Sequence, residues 1–347
     1  MCQQLPKTTR AARLRVADTT ACFTVEYLCP TIRNACAKRN RALHSSVTMI
    51  AKTLLMIILL AGSLPVARTE QPGPGRHTGE VTVALGEYHH PGILDSYDLV
   101  LYYGHPLSRA MGILGEKPLE VLVQRLRKTA VAFDELDTTR GVIPGFHIVY
   151  ATVYPEGEIG VIGRSTLQRY IDYAEANDMV VVLDHQLGRF DVVESVRQML
   201  PLLQYRSVHF AIDPEWSTDT PNEVIGSVTA AEINEIQRIM EEYLIEHEIA
   251  ERKILLVHQF NWRMIENPHE VRADFERIDL IHNADGFGPP EDKYASWEYN
   301  RRATNMPLKG FKLFYPKAWR DWGYDDPLMT PREVFALEPR PVVIQYQ

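Results

Sequence analysis

The sequence predicts an α/β protein, a single (β/α)8 TIM-type barrel preceded by a signal peptide, and three observations carry that prediction. Eight short apolar, β-branched runs recur along the chain: Leu99 to Tyr103, Phe146 to Tyr150, Val180 to Asp184, Val208 to Asp213, Ile254 to His258, Asp279 to Asn283, Phe311 to Tyr315 and Val342 to Tyr346. Runs this continuously apolar belong to a parallel sheet covered on both faces. Amphipathic stretches separate most of them, at Leu119 to Leu136, Thr166 to Asn177, Val192 to Leu203 and Ala230 to Glu248. The last run reaches the C-terminus, where it can pair with the first, and this favours a closed barrel over an open sheet. Helix starts agree: Thr229 with Glu232 forms a capping box, and Thr330-Pro331-Arg332-Glu333 puts proline in a first helical turn.

Ahead of the barrel the chain divides into three short regions. Residues 49–68 carry one lysine, an apolar run of about ten residues and a small-residue exit, the build of a secretory signal and too short to span a bilayer comfortably. Residues 1–48 read as a spurious or disordered extension, with translation expected to start at Met49. Residues 69–80, rich in Pro and Gly, read as a linker, which leaves residues 81–347 for the barrel and Val81 to Leu85 for an extra strand at its bottom. The expected location is therefore secreted or periplasmic, with no stable membrane span after signal cleavage. Ser63 stands where a lipobox would need cysteine, so lipid attachment is not expected.

Charge and cysteine usage narrow the chemistry. The chain has 37 basic and 45 acidic residues, but after residue 68 the balance is 27 against 43, a net charge of −16. Such a body repels a polyanion, so nucleic acid is not an expected partner. Cys2, Cys22, Cys29 and Cys36 all precede Met49, so the barrel has no disulfide, thiolate nucleophile or cysteine-ligated metal. No phosphate-binding glycine loop, dinucleotide fingerprint or nucleophile elbow is present, and no cofactor is expected.

Functional groups in such barrels sit where strands end and βα loops begin. Asp184, Asp213 and Asp285 close the third, fourth and sixth runs, and Glu215 follows Asp213 by two residues, the spacing that shares a strand face. Carboxylates crowded in a partly apolar mouth repel one another, so one pKa rises while another group stays ionised, which makes an acid and a base from one residue type. Glu215, Asp213, Asp184 and Asp285 are the catalytic candidates; the plain alternative is that they cap helices or pair with Lys312 and Arg189. Tyr102, Tyr103, His105, His185, Gln186, Trp216, His258, Gln259, Lys312, Tyr315 and Gln345 occupy the same strand ends and are the substrate-binding candidates. All five tryptophans, Trp216, Trp262, Trp297, Trp319 and Trp322, follow the fourth to seventh runs, and Phe260, Phe287 and Tyr324 join them. Rings rimmed by carboxylates suit a sugar chain, with its apolar C–H faces and hydroxyls, although rings also anchor long loops. His105, His147, His185 and His258 lie near strand ends, but no His-x-His pair or zincin helix is present, so histidines bonding to carboxylates are expected in place of a metal site.

Taken together, Tyr102-Tyr103-Gly104-His105-Pro106, Ala110-Met111-Gly112-Ile113-Leu114-Gly115-Glu116, Ile212-Asp213-Pro214-Glu215, Val257-His258-Gln259-Phe260, Asp285-Gly286-Phe287-Gly288-Pro289-Pro290, Phe311-Lys312-Leu313-Phe314-Tyr315 and Asp325-Asp326-Pro327-Leu328-Met329-Thr330-Pro331 resemble a family of uncharacterised bacterial secreted proteins and lipoproteins with a glycoside-hydrolase-like TIM barrel. The resemblance covers roughly residues 98–347 and implies a barrel and export, with no activity attached. Asp213-x-Glu215 also looks like the strand-four ending of chitinase-like and muramidase-like barrels. That likeness implies Glu215 as proton donor and Asp213 as its partner, although the glycine and aspartate run that precedes the motif in chitinases is missing. The expected function is a glycan-active hydrolase whose partner is a carbohydrate or cell-envelope polymer. Two other readings stay open: a non-catalytic glycan- or envelope-binding barrel, and a metal-dependent hydrolase or isomerase.

Overall fold

The computed structural model describes residues 90–347 except Trp319, all within one compact unit. The signal segment, the linker and the extra strand expected at Val81 to Leu85 lie outside the described residues. The strands β1 (Tyr97–Gly104), β2 (Gly141–Val153), β3 (Val180–Gln186), β4 (Val208–Asp213), β5 (Lys253–Gln259), β6 (Ile278–Ala284), β7 (Leu308–Leu313) and β8 (Val343–Tyr346) form one parallel sheet, each strand beside its neighbours in the chain. β1 closes it into a barrel by pairing on both sides, Leu99 lying opposite Ile143 of β2 and Val343 of β8. Among the described residues no helix is long and apolar enough to cross a membrane.

Helices α1 (Leu119–Asp134), α2 (Arg164–Glu175), α3 (Val192–Arg197), α4 (Ala230–Glu246), α5 (Pro290–Asn300) and α6 (Pro331–Phe335) fill the crossovers. The expected capping box at Thr229 forms and Thr330 makes a second one, the two threonines accepting from the backbone of Glu232 and Glu333 and those carboxylates bonding back. The stretch expected as one helix from Val192 to Leu203 instead stops at Arg197, and Leu200–Gln204 turns as a 3-10 helix around Pro201, which has no N–H for an α-helical ladder. Between β5 and β6 the connection holds two 3-10 turns, Trp262–Met264 and Pro268–Glu270, where Asn267 at φ 53° and Pro268 stop regular helix.

Alternation along the strands separates two apolar layers. One side packs Val100, Phe146, Val181, Phe210, Leu255 and Phe311 against the helices. The other fills the lower lumen with Leu99, Leu101, Val180, Val182, Ile254, Leu256, Ile281 and Val343. The next inward position toward each C-terminal strand end is polar: Tyr103 on β1, Asp184 on β3, His258 on β5, Asn283 on β6 and Gln345 on β8. A polar mouth therefore stands on an apolar plug. At the opposite end, Asp98 is clamped by Arg140 (3.0 Å) and Arg340 (2.8 Å), and Arg252 bridges Asp279 (2.9 Å) and Asp95 (2.5 Å).

The closing seam is also braced from outside. The Phe133 ring of α1 packs at 5.0 Å from Phe335 of α6 and 6.4 Å from Tyr346 of β8. Phe133→Ala is expected to cost about 3–5 kcal/mol, measured as a fall in the urea midpoint at unchanged slope. A midpoint equal to the parent's would show that the seam does not depend on this ring.

Candidate active site

Backbone geometry at the first mouth loop sets the position of Tyr103. Gly104 and Gly112 adopt φ values of 146° and 131°, and their backbones touch so closely that a Cβ on Gly112 would collide with the Tyr103 carbonyl. Glycine is required there by both sterics and backbone conformation, and the loop folds back tightly against the end of β1. Gly310 on β7 has a comparable effect inside the barrel, since a Cβ there would collide with Oδ1 of Asn283. The missing side chain lets Asn283 reach across to Asp285 and accept a bond from Gln345 Nε2 at 2.9 Å.

The strand-end carboxylates converge as expected. Asp285 receives His258 Nδ1 at 2.9 Å, Lys312 Nζ at 3.3 Å and the Asn283 amide. Asp184 Oδ2 accepts from the Tyr103 hydroxyl at 2.7 Å and lies 3.8 Å from His258 Nε2. Asp213 Oδ2 accepts from the Trp216 indole at 3.1 Å. Lys312 sits 3.8 Å from the centre of the Tyr103 ring. Asp184, Asp213 and Asp285 are all buried, and Glu215 is the one member of the quartet that keeps partial exposure. It stands in a 3-10 turn, Pro214–Trp216, so its approach to the cluster comes from the turn and not from the strand-face alternation that the two-residue spacing predicts.

These surroundings separate the carboxyl groups. Burial acts against ionised Asp285, but His258, Lys312 and Asn283 outweigh it and hold its pKa well below the usual carboxylate range. Burial lifts Asp213 well above that range, with Glu215 and Asp184 adding to the rise. Burial lifts Glu215 to about 7 against the pull of nearby Lys312. Burial disfavours the Lys312 ammonium, yet Asp285, Asp213, Asp184 and Glu215 together raise its pKa.

Several expected substrate contacts lie elsewhere. Tyr102 and Tyr315 face the helices: Tyr102 bonds Thr129 of α1 at 3.0 Å, while Tyr315 stacks on Tyr346 at 5.2 Å with Arg125 above it at 4.3 Å. Alternation also turns His185 and Gln259 away from the lumen, and they bond the Gln186 carbonyl (3.0 Å) and His282 (2.6 Å). His105 is half-buried in the first loop and accepts from Leu107 N–H, Gln186 accepts from Val153 N–H between β3 and β2, and Arg189 pairs with Glu158 and not with Asp184. Trp297 is a core residue against Phe311 at 5.6 Å, and Trp319 lies outside the described residues. Tyr103, Trp216, His258, Lys312 and Gln345 do join the carboxylates, but all except Trp216 are buried within the cluster.

His147 and Asn283 were not among the expected site residues. The signal for His147 is its parity: it alternates with the helix-facing Phe146 and Ile148, so it must point into the lumen. His147, Asp184 and His258 bring metal-competent donor atoms within 4.8 Å of one another, and burial pushes the His147 pKa well below its ordinary value, which keeps the imidazole neutral.

No protein-family model and no curated protein sequence matches the chain. Among solved structures it is similar to a chitinase from Chromobacterium violaceum (12% identity, 62% of this chain and 68% of that one, TM-score 0.35). It is also similar to the spore cortex-lytic enzyme SleL of Bacillus cereus (11%, 63% and 51%, TM-score 0.35) and to a family 18 chitinase from Crocus vernus (12%, 72% and 92%, TM-score 0.41). The chain spans about half the length of SleL. Overlaps this partial carry no residue assignment or reaction across to this chain.

Lys312 is the shared counter-charge of the quartet, and this can be tested directly. Lys312→Met is expected to cost about 3–5 kcal/mol at pH 7, because it leaves buried carboxylates uncompensated. The loss should shrink as pH falls and the carboxylates take up protons, since the variant raises their pKa values in the folded state. Urea midpoints at pH 7 and pH 5 check this, and an equal loss at both would exclude an electrostatic origin.

Proposed function

We propose that this chain is an exported glycan-active hydrolase in which Glu215 is the proton donor. The observation that carries the reading is the placement of Glu215: it is the partly exposed carboxyl at the lip of a mouth whose other three carboxyls are buried beneath it. A group held near 7 stays largely protonated in mildly acidic water and about half protonated at neutral pH, and can give its proton to a glycosidic oxygen, while Asp285 stays ionised. Asp213 shares the Pro214–Trp216 corner and assists Glu215; Asp184 and Asp285 are the candidates for base, nucleophile or orienting group. The pattern of one raised and one depressed carboxyl is the one that acid–base hydrolysis needs.

A sugar chain is the substrate class supported by the rim. Phe190, Phe260, Trp262, Phe287 and Trp322 are exposed in the segments after β3, β5, β6 and β7, and their ring faces suit the C–H faces of sugars. A shallow, open depression between the loops after β3 and β4 is lined by Gly188, Arg189, Phe190, Ser217, Thr218 and Asp219, beside the turn that carries Glu215. Export rests on the apolar segment that begins at Met49. The depth of Asp184, Asp213 and Asp285 favours a second reading, a barrel that binds glycan without cleaving it.

Glu215→Gln should lower turnover by about 10²–10⁴-fold while glycan binding stays measurable, scored as reducing ends released from polysaccharides and peptidoglycan. Full turnover in that variant would remove Glu215 from the role, and binding without turnover in the parent would select the second reading. For a general acid with a raised pKa, kcat/KM is full on the acidic side and falls as pH rises through about 7. That basic limb should be absent from whatever activity Glu215→Gln retains; a limb that persists unchanged belongs to another group.

A further inference from the structure

We propose that His147, Asp184 and His258 form a binding site inside the barrel for one divalent cation of the zinc class. Three strands, β2, β3 and β5, each contribute one residue, and the donor atoms lie within 4.8 Å of one another. Donors around a four-coordinate zinc at bond lengths of about 2.0–2.1 Å lie roughly 3.3 Å apart. His258 Nε2 lies 3.8 Å from Oδ2 of the Asp184 carboxylate, whose other oxygen, Oδ1, is the one left for a cation.

The case rests on which atoms are partnered and which are not. Both ring nitrogens of His147, Nε2 of His258 and Oδ1 of Asp184 are buried with no hydrogen-bond partner among the described residues. Leaving such atoms unsatisfied is costly, so a cluster of them calls for a common ligand. The other polar atoms of His258 and Asp184 are held firmly. Asp285 receives Nδ1 of His258 at 2.9 Å, which puts the proton on Nδ1 and leaves the Nε2 lone pair directed at Asp184. Tyr103 donates to Asp184 Oδ2 at 2.7 Å and fixes the rotation of that carboxylate. A carboxylate behind a histidine is the outer support that metal-bound imidazoles use.

Charge favours the same occupant. Four carboxylates, Asp184, Asp213, Glu215 and Asp285, share Lys312 as their common lysine, and a dication would offset what that ammonium leaves. Two imidazoles and one carboxylate select zinc or a similar transition ion over calcium or magnesium, which prefer oxygen donors. Three protein ligands also leave a coordination position for water or substrate. The site shares Asp184 and Asp285 with the glycan reading but uses none of the roles given to Glu215 and Asp213.

The test uses the full chain, stripped with a chelator and titrated with Co²⁺, whose visible ligand-field absorption reports coordination. One Co²⁺ per chain is expected, displaced by Zn²⁺, with a rise in the melting temperature on binding. His147→Ala and Asp184→Asn should each weaken Co²⁺ binding by at least about 100-fold, and Asp285→Asn, acting through His258, by about 10–100-fold. Glu215→Gln should bind Co²⁺ like the parent, so loss of turnover there and loss of metal in the other variants remain separate results. Binding far below one Co²⁺ per chain, or binding that survives unchanged in a folded His147→Ala, overturns the proposal. Should His147→Ala fail to fold, the stoichiometry in the parent chain decides the matter alone.

Discussion

One ammonium group organises the mouth of this barrel. Lys312 reaches the lumen from β7, and Asp285, Asp213, Asp184 and Glu215 all act on it. Carboxylates brought together away from water repel one another and lose hydration, two costs that a central cation on the Tyr103 ring offsets. The offset is unequal, and the inequality is chemically useful. Asp285, with lysine, histidine and asparagine as partners, stays ionised, whereas Asp213 and Glu215, reached less directly by Lys312, hold their protons more tightly.

The two ends of the barrel treat acids differently. At the N-terminal end each buried aspartate has arginine partners, Asp98 with Arg140 and Arg340 and Asp279 with Arg252. This is the pattern of stabilising pairs. At the C-terminal end the acids outnumber the lysine they share, and among the described residues ring nitrogens of His147 and His258 are left without partners. A fold tolerates such a deficit where a ligand compensates for it, so the functional reading belongs to this end.

Small residues decide how close the functional ones come. Gly104 and Gly112 let two backbone segments touch beside Tyr103, and Gly310 leaves the space that Asn283 crosses. Gly188 N–H donates to the Trp216 carbonyl at 2.8 Å, tying the loop after β3 to the turn that carries Glu215. Position in this site is thus set as much by where side chains are missing as by where they are present.

Local sequence rules were enough to read the barrel and its polar mouth. Eight apolar runs, the capping threonines at 229 and 330, and carboxylates at the ends of the third, fourth and sixth runs follow from local rules of period and capping, and Asp184, Asp213, Glu215 and Asp285 do converge. Which face each strand-end residue takes became visible through packing between strands. Tyr102, Tyr315, His185 and Gln259 resembled lumen residues because they sit at the right height, yet a shift of one position along a strand turns a side chain to the opposite face. Parity can be read only once a neighbour of known orientation is in place. His147 shows the reverse case: its own strand marks it only as a histidine facing the lumen, and its meaning comes from Asp184 and His258 on other strands. Partnerships across strands depend on barrel closure, which brings together residues more than a hundred positions apart and which no local window of sequence contains.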